Sequence, residues 1–232
     1  MDAKLAASRS GATLTDQVYH SIREEILSGE LAPLLRLRVD ALKTRYGIGA
    51  SPIREALSRL SGDGLVTIEE RRGFTVAGVS KDEVWDIAKT RILVESAALK
   101  SSIENAGEGT SGDDWEAHIV ATFHRLRKLD QKLGQDRPNE AWENVHFEFH
   151  ESLVAACPYE KLKHVRRQLF DQSERYRRLS LNTLTGDRDV PGEHEEIKDA
   201  TLGRDAVNAC KLLATHIQRT ADICWQALSE ID

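Results

Sequence analysis

Two histidines four residues apart, His146 and His150 in "HFEFH", would place both imidazoles on one face of any helix that carries them. A neutral imidazole is a good metal ligand, and an i, i+4 pair is half of a site that facing helices of a bundle can complete. His194 in "GEHEEI" and His216 in "LLATHIQ" are candidates for the other half. The face that holds His146 and His150 also carries Trp142, Phe149 and Leu153, so from spacing alone each ring reads first as a buried core histidine satisfied by hydrogen bonds. Glu148 and Glu193 stand beside these histidines as acid–base groups. The chain has no H-E-x-x-H pair, nucleophile elbow or phosphate loop, so it is read as a non-enzyme.

A second stretch, "YGIGASPIREALSRLSGDGLV" from Tyr46 to Val66, offers a different chemistry. Ser51 is placed to cap a helix, and Pro52 suits its first position, where a missing N–H costs no bond. Ile53, Leu57 and Leu60 then form one stripe, leaving Arg54 and Ser58 on another. A helix with one face packed and an arginine free on the other fits the DNA major groove. Arg54 would bond a guanine or a phosphate, and Ser51 with the first-turn N–H groups would bond a phosphate.

The elements that position this helix follow from local pattern. Leu14, Val18, Ile22 and Ile26 recur at helical spacing up to Ser28-Gly29. Val39 to Tyr46 is a second helix ending at Gly47, and "LVTIEERRGFTVAGV" is a hairpin whose tip, Glu69 to Gly73, presents Arg71 and Arg72. Three helices and a hairpin make a winged helix-turn-helix. The rest is helical: a capping box at Ser80 and Glu83 with a Val79/Val84 staple starts a helix that runs to about Asn105. Others are expected through Trp115 to Leu133, from Pro138 to the break at Cys157-Pro158, from Tyr159 to about Leu184, around Glu193 to Leu202, and from Asp205 to Leu228. The fold class is therefore mainly α, an N-terminal winged helix-turn-helix followed by an all-helical bundle. Expected boundaries are a flexible arm over 1–13, a DNA-binding domain over 14–78 and a helical domain over 79–232.

Composition agrees with that division. The 232 residues suffice for two cores. The first 78 hold 11 Lys and Arg against 10 Asp and Glu, and the remainder 21 against 28. An acidic protein whose charge turns basic only near one end is suited to nucleic-acid binding through that end. Three cysteines without a C-x-x-C pair read as small buried hydrophobes. No apolar run has the length of a membrane span or a signal peptide, so a cytoplasmic location is expected.

The stretches "VYHSIREEILSGELAP", "YGIGASPIREALSRLSGDGLV" and "RRGFTVAGVS" resemble the DNA-binding domain of the GntR family of bacterial transcription regulators. With a helical second half opening "SKDEVWDIAKTRILVESAAL", the chain resembles the FadR branch, which carries an FCD-type effector and dimerisation domain. The resemblance implies a homodimeric, operator-binding regulator, in the family's common mode a repressor, switched by a small organic acid, with a dicarboxylate the first expectation. Two departures stand out. Ala50 occupies the place of a usual arginine before Ser-Pro, and Leu34 and Leu35 follow Pro33 where glycine is usual, with Arg36 and Arg38 placed to supply compensating phosphate contacts. FCD domains commonly hold a divalent metal with one aspartate and three histidines. His150, His194 and His216 match the histidines, and His146 stands in the aspartate's place. The resemblance thus implies a four-histidine site, which favours zinc or nickel over magnesium or calcium. Arg91, with Glu95 four residues on, and Arg175 are the candidate partners of an effector carboxylate. A dedicated metal sensor, and behind it a metal-dependent hydrolase, are the alternatives.

Overall fold

The computed structural model describes residues 13–69, 73–107, 110–134, 138–180 and 188–229. Residues 1–12 of the expected arm, and Arg71 and Arg72 at the hairpin tip, lie outside the described residues. Contacts sort the described residues into two compact units, one within Met1–Val84 and Phe170–Asn182, the other within Trp85–Leu169 and Thr183–Asp232.

In the first unit, α1 (Leu14–Leu27) opens on a Thr13/Asp16 capping box and closes at Ser28, with Gly29 at φ 79°. Strand β1 (Arg36–Leu37) leads into α2 (Val39–Tyr46), which ends as expected at a left-handed Gly47. Helix α3 (Ala50–Gly62) follows, then β2 (Val66–Glu69) and β3 (Gly73–Val76). The hairpin gains a third member because β1 pairs antiparallel with β3, giving the order β1-β3-β2. Val18, Ile22, Ile26, Leu42, Ile53, Leu57, Leu60, Leu65 and Val76 form one apolar core. This is a winged helix-turn-helix.

One cap differs from expectation. Gly49, not Ser51, is the N-cap of α3, so Ser51 is the second helical residue and Pro52 the third. Pro52 still costs no intrahelical bond, because the N–H groups of the whole first turn lack acceptors within the helix.

Helix α4 (Lys81–Asn105) begins where the capping box placed it, and Ser80 Oγ accepts from Glu83 N–H at 3.2 Å. The reciprocal half comes from a distant residue. Tyr176 Oη accepts from Ser80 N–H at 3.1 Å and donates to the Glu83 carboxylate. Tyr176 belongs to α7 (Glu160–Ser180), whose stretch from Phe170 onward packs in the first unit although local pattern assigned it to the helical domain. Asp171 accepts from Arg23, Gln172 donates to the Asp63 carbonyl at 2.8 Å, and Arg178 pairs with Glu24 at 3.2 Å. Such pairs join residues more than a hundred positions apart, which periodicity cannot register.

The second unit is built on α4, α5 (Thr110–Leu133), α6 (Glu140–Leu153), the first part of α7, α8 (Val190–Leu202) and α9 (Ala206–Ser229). Helix α5 starts at Thr110, earlier than the glycine-rich run suggested, and α6 is capped by Asn139 with Pro138 outside it. Helix α5 packs on α6 and α8, and α8 on α9. Cys157 and Cys224 are buried, and all three cysteines are free thiols. Among the described residues no helix is long and apolar enough to cross a membrane.

Candidate functional site

Helix α6 sends Trp142, His146, Phe149, His150 and Leu153 inward, the spacing of a single helical face. Helix α8 starts at Asp189, whose carboxylate caps Gly192 N–H at 2.9 Å, and it buries Glu193 and His194. Helix α9 buries Ala209, Leu213, His216 and Ile217. The three helices bring His146, His150, His194 and His216 together with ligand nitrogens all within 4.8 Å of one another. Each ring is at most 7% exposed.

These four side chains could hold one shared ion. A metal with imidazole nitrogens at about 2.0–2.1 Å needs neighbouring ligand atoms roughly 3 Å apart. The Nε2 atoms of His146 and His150 are 3.2 Å apart, a separation that also serves as a hydrogen bond when one of them carries a proton. Burial, and then the neighbouring imidazoles and Arg166, hold the pKa of His150 well below the usual 6.5, so its ring is neutral as a ligand must be.

A polar shell surrounds the rings. Trp142 stacks on His146 and its indole N–H donates to Asp130 at 2.6 Å. His216 Nδ1 lies 2.8 Å from Glu193 Oε2, and Glu193 is gripped by Arg188 and Arg219. Burial alone would raise the Glu193 pKa, but its bonds to Arg188, His216 and Arg219 hold it well below the carboxylate range. A cleft of about 600 Å³ is lined by Arg188, Glu193, Glu196, Arg219 and Asp222.

Arg91 is buried and bonded to Glu95, Nε to Oε1 at 2.7 Å, and Arg166 lies 3.5 Å from the same carboxylate. Burial would raise the Glu95 pKa, but Arg91 and Arg166 outweigh it and hold the group ionised. His216 feels the charge of Arg91, and His150 that of Arg166, so this ionic group adjoins the histidines electrostatically. Arg175 goes elsewhere. Its guanidinium donates to the Ala77 carbonyl in the first unit, with the Tyr176 hydroxyl and the Glu83 carboxylate as its neighbours. That placement gives the effector expectation for Arg175 no geometric support.

Local reading passed over Arg166, which is fully buried, and the shell of Arg188 and Asp130. Arg166 had one signal: it falls four residues after Leu162 and four before Phe170, on the apolar stripe of α7. Arg188 and Asp130 had none.

On α3, Ile53, Ala56, Leu57 and Leu60 are buried while Ser51, Arg54 and Ser58 are exposed. Arg36 and Arg38 are also exposed. Two other arginines are occupied: Arg59 pairs with Asp16 at 2.8 Å and lies over the Tyr19 ring, and Arg45 pairs with Glu25 and Glu30.

Residues 14–76 match the family model for bacterial regulatory proteins of the gntR family, and residues 86–219 match the FCD domain. An uncharacterized HTH-type transcriptional regulator, BphR, of Paraburkholderia xenovorans (strain LB400) is 36% identical over 217 residues, which is 92% of this chain and 86% of the relative. The HTH-type transcriptional repressor GlaR of Escherichia coli (strain K12) is 32% identical over 215 residues, 91% of this chain and 96% of the relative. Among solved structures, E. coli McbR/YncC shares the fold with a TM-score of 0.76 at 21% identity, covering 93% of this chain and 98% of that one.

Proposed function

Because the chain belongs to the GntR family of bacterial regulatory proteins and carries an FCD domain, we propose that it is a homodimeric operator-binding repressor of the FadR branch, controlled by a small organic acid at a metal centre. Family members bind DNA operators and typically act as dimers. Its relatives BphR and GlaR are transcriptional regulators, and GlaR is a repressor, which supports repression here.

The observation that carries the sensing half is the convergence of four buried imidazoles within 4.8 Å. His146, His150, His194 and His216 would hold one divalent ion, zinc or nickel in view of the neutral nitrogen donors, and such an ion would supply an electrophilic position for a carboxylate. Arg91 and Arg166, coupled to these histidines and already turned toward Glu95, are the cations that draw a small dicarboxylate to the centre.

Operator contact falls to residues 14–78 and effector sensing to 79–232. Arg54 and Ser58 read bases, Ser51, Arg36 and Arg38 hold phosphates, and Arg71 and Arg72 are assigned further backbone contacts. A protein of this kind works in the cytoplasm. An effector that favours one arrangement of the dimer shifts operator affinity by its differential affinity for the two arrangements.

Elemental analysis of tag-free protein, purified without chelator, tests the centre. About one zinc or nickel per chain is the expected result, and metal-free protein that stays empty after reconstitution would remove the metal from the reading. Operator binding titrated with metal, and separately with organic acids on the loaded protein, then decides between acid sensing and metal sensing. A switch thrown by metal alone would make the protein a metal sensor.

A further inference from the structure

We propose that Glu193 is the positioning residue for His216, fixing its tautomer and ring angle; this rests on the metal reading above. Glu193 Oε2 lies 2.8 Å from His216 Nδ1. Arg188 Nη2 also lies 3.2 Å from Nδ1, but its two hydrogens have closer acceptors in Glu193 Oε2 and the His216 carbonyl; two bare acceptors 2.8 Å apart would repel, so Nδ1 carries the proton and donates it to the carboxylate. The lone pair then resides on Nε2. His150 and His194 neighbour this ring, with centroids 5.4 Å and 4.8 Å from that of His216.

The carboxylate that fixes the ring is itself fixed. Arg188 spans both oxygens, Nε to Oε1 at 2.9 Å and Nη2 to Oε2 at 2.5 Å, and Arg219 adds Nη1 to Oε1 at 2.9 Å. Arg188 also donates to the His216 carbonyl and to Thr220 Oγ1, both at 3.0 Å, which ties this clamp to the backbone of α9. With three guanidinium donors besides His216 on its two oxygens, Glu193 has little freedom to rotate away.

Helix α8 thus supplies two consecutive residues with linked tasks, Glu193 on one imidazole and His194 as another. The arrangement bears on charge as well. Glu193 is a carboxylate bonded directly to one of the proposed ligands, and an imidazole donating to a carboxylate is a stronger metal base.

The test is zinc affinity of the full-length protein, measured by competition with a chromophoric chelator, together with the visible spectrum of the cobalt(II) form. Glu193→Ala is expected to weaken zinc binding about ten- to a hundredfold and to alter the cobalt bands. Glu193→Gln should lose less, because its amide oxygen still accepts from Nδ1–H. Asp199→Ala, an exposed position on the same helix outside the cleft, should match the native protein. Native affinity and an unchanged cobalt spectrum in both Glu193 variants would overturn the proposal. If the alanine variant does not fold, the glutamine variant with native helicity decides by the same criterion. A native protein that takes up neither zinc nor cobalt would bring down the metal reading and this inference together, whereas normal native binding with unaffected variants brings down the inference alone.

Discussion

Trp142 lies flat on His146, ring centroids 4.5 Å apart and planes inclined by 14°. Both side chains are buried, and Asp130 holds the indole N–H at 2.6 Å, so the stack restricts the imidazole to one plane. In the proposed metal centre His146 takes the place where the family resemblance leads one to expect an aspartate, and this contact orients its ring.

An indole stacked on His146, a ligand of the proposed centre, reports on the metal. Titrating metal-stripped protein with nickel should quench part of the tryptophan emission, and Trp142→Phe should abolish that response although Trp85, Trp115 and Trp225 remain. A response of native size in the variant would mean that other indoles carry it.

Removing the ion should expose its contribution to stability. A ligand that binds only the folded chain, at a hundred times its dissociation constant, adds about 2.7 kcal/mol. A chelator should therefore lower the thermal midpoint of the native protein by several degrees. His150→Ala should show no such dependence and should carry no stoichiometric metal.

Acid should weaken the metal-free protein through the same residue. Burial, then the other imidazoles, depress the His150 pKa well below its usual 6.5, so in the window beneath that value the unfolded chain binds the extra proton and the folded chain does not. Stability of the stripped protein is thus expected to fall as pH drops below about 6.5. Urea unfolding at pH 7.5 and 5.5 checks this, and His150→Ala should flatten the difference.

Exposure of Arg54 on a helix whose other face is core predicts a selective loss. Arg54→Ala should weaken operator binding by about 1–3 kcal/mol per half-site while leaving the circular dichroism unchanged. Operator affinity of the native protein should also drop steeply between low and moderate salt, as phosphate contacts release counterions. Gel-shift titrations at two salt concentrations measure both effects.

Leu34 sits at φ 63° and is 72% exposed. A left-handed backbone costs a non-glycine residue about 1–2 kcal/mol, and glycine returns about 0.5–1 of that through its freer unfolded state. Leu34→Gly is accordingly expected to stabilise the chain by about 0.5–1 kcal/mol, seen as a higher urea midpoint. Its backbone bond, N–H to the Val76 carbonyl, remains available to glycine.

Local chemistry determined a good deal of this protein by itself. Helix α2 ran from Val39 to Tyr46 with Gly47 left-handed, because a helix end needs only neighbouring residues to define it. The stripe that buries Ile53 and Leu57 and frees Arg54 followed from 3.6-residue periodicity, and so did the shared face of His146 and His150. Only the tertiary structure decided what those faces meet. His194 and His216 reach the α6 pair across 44 and 66 residues of chain, counting from His150, and no local pattern encodes such a meeting. The same holds for Arg166 on Glu95, Arg188 on Glu193, and Arg175 beside Ala77. A buried charge is stable only where its partner arrives, and the partner arrives through packing of whole helices.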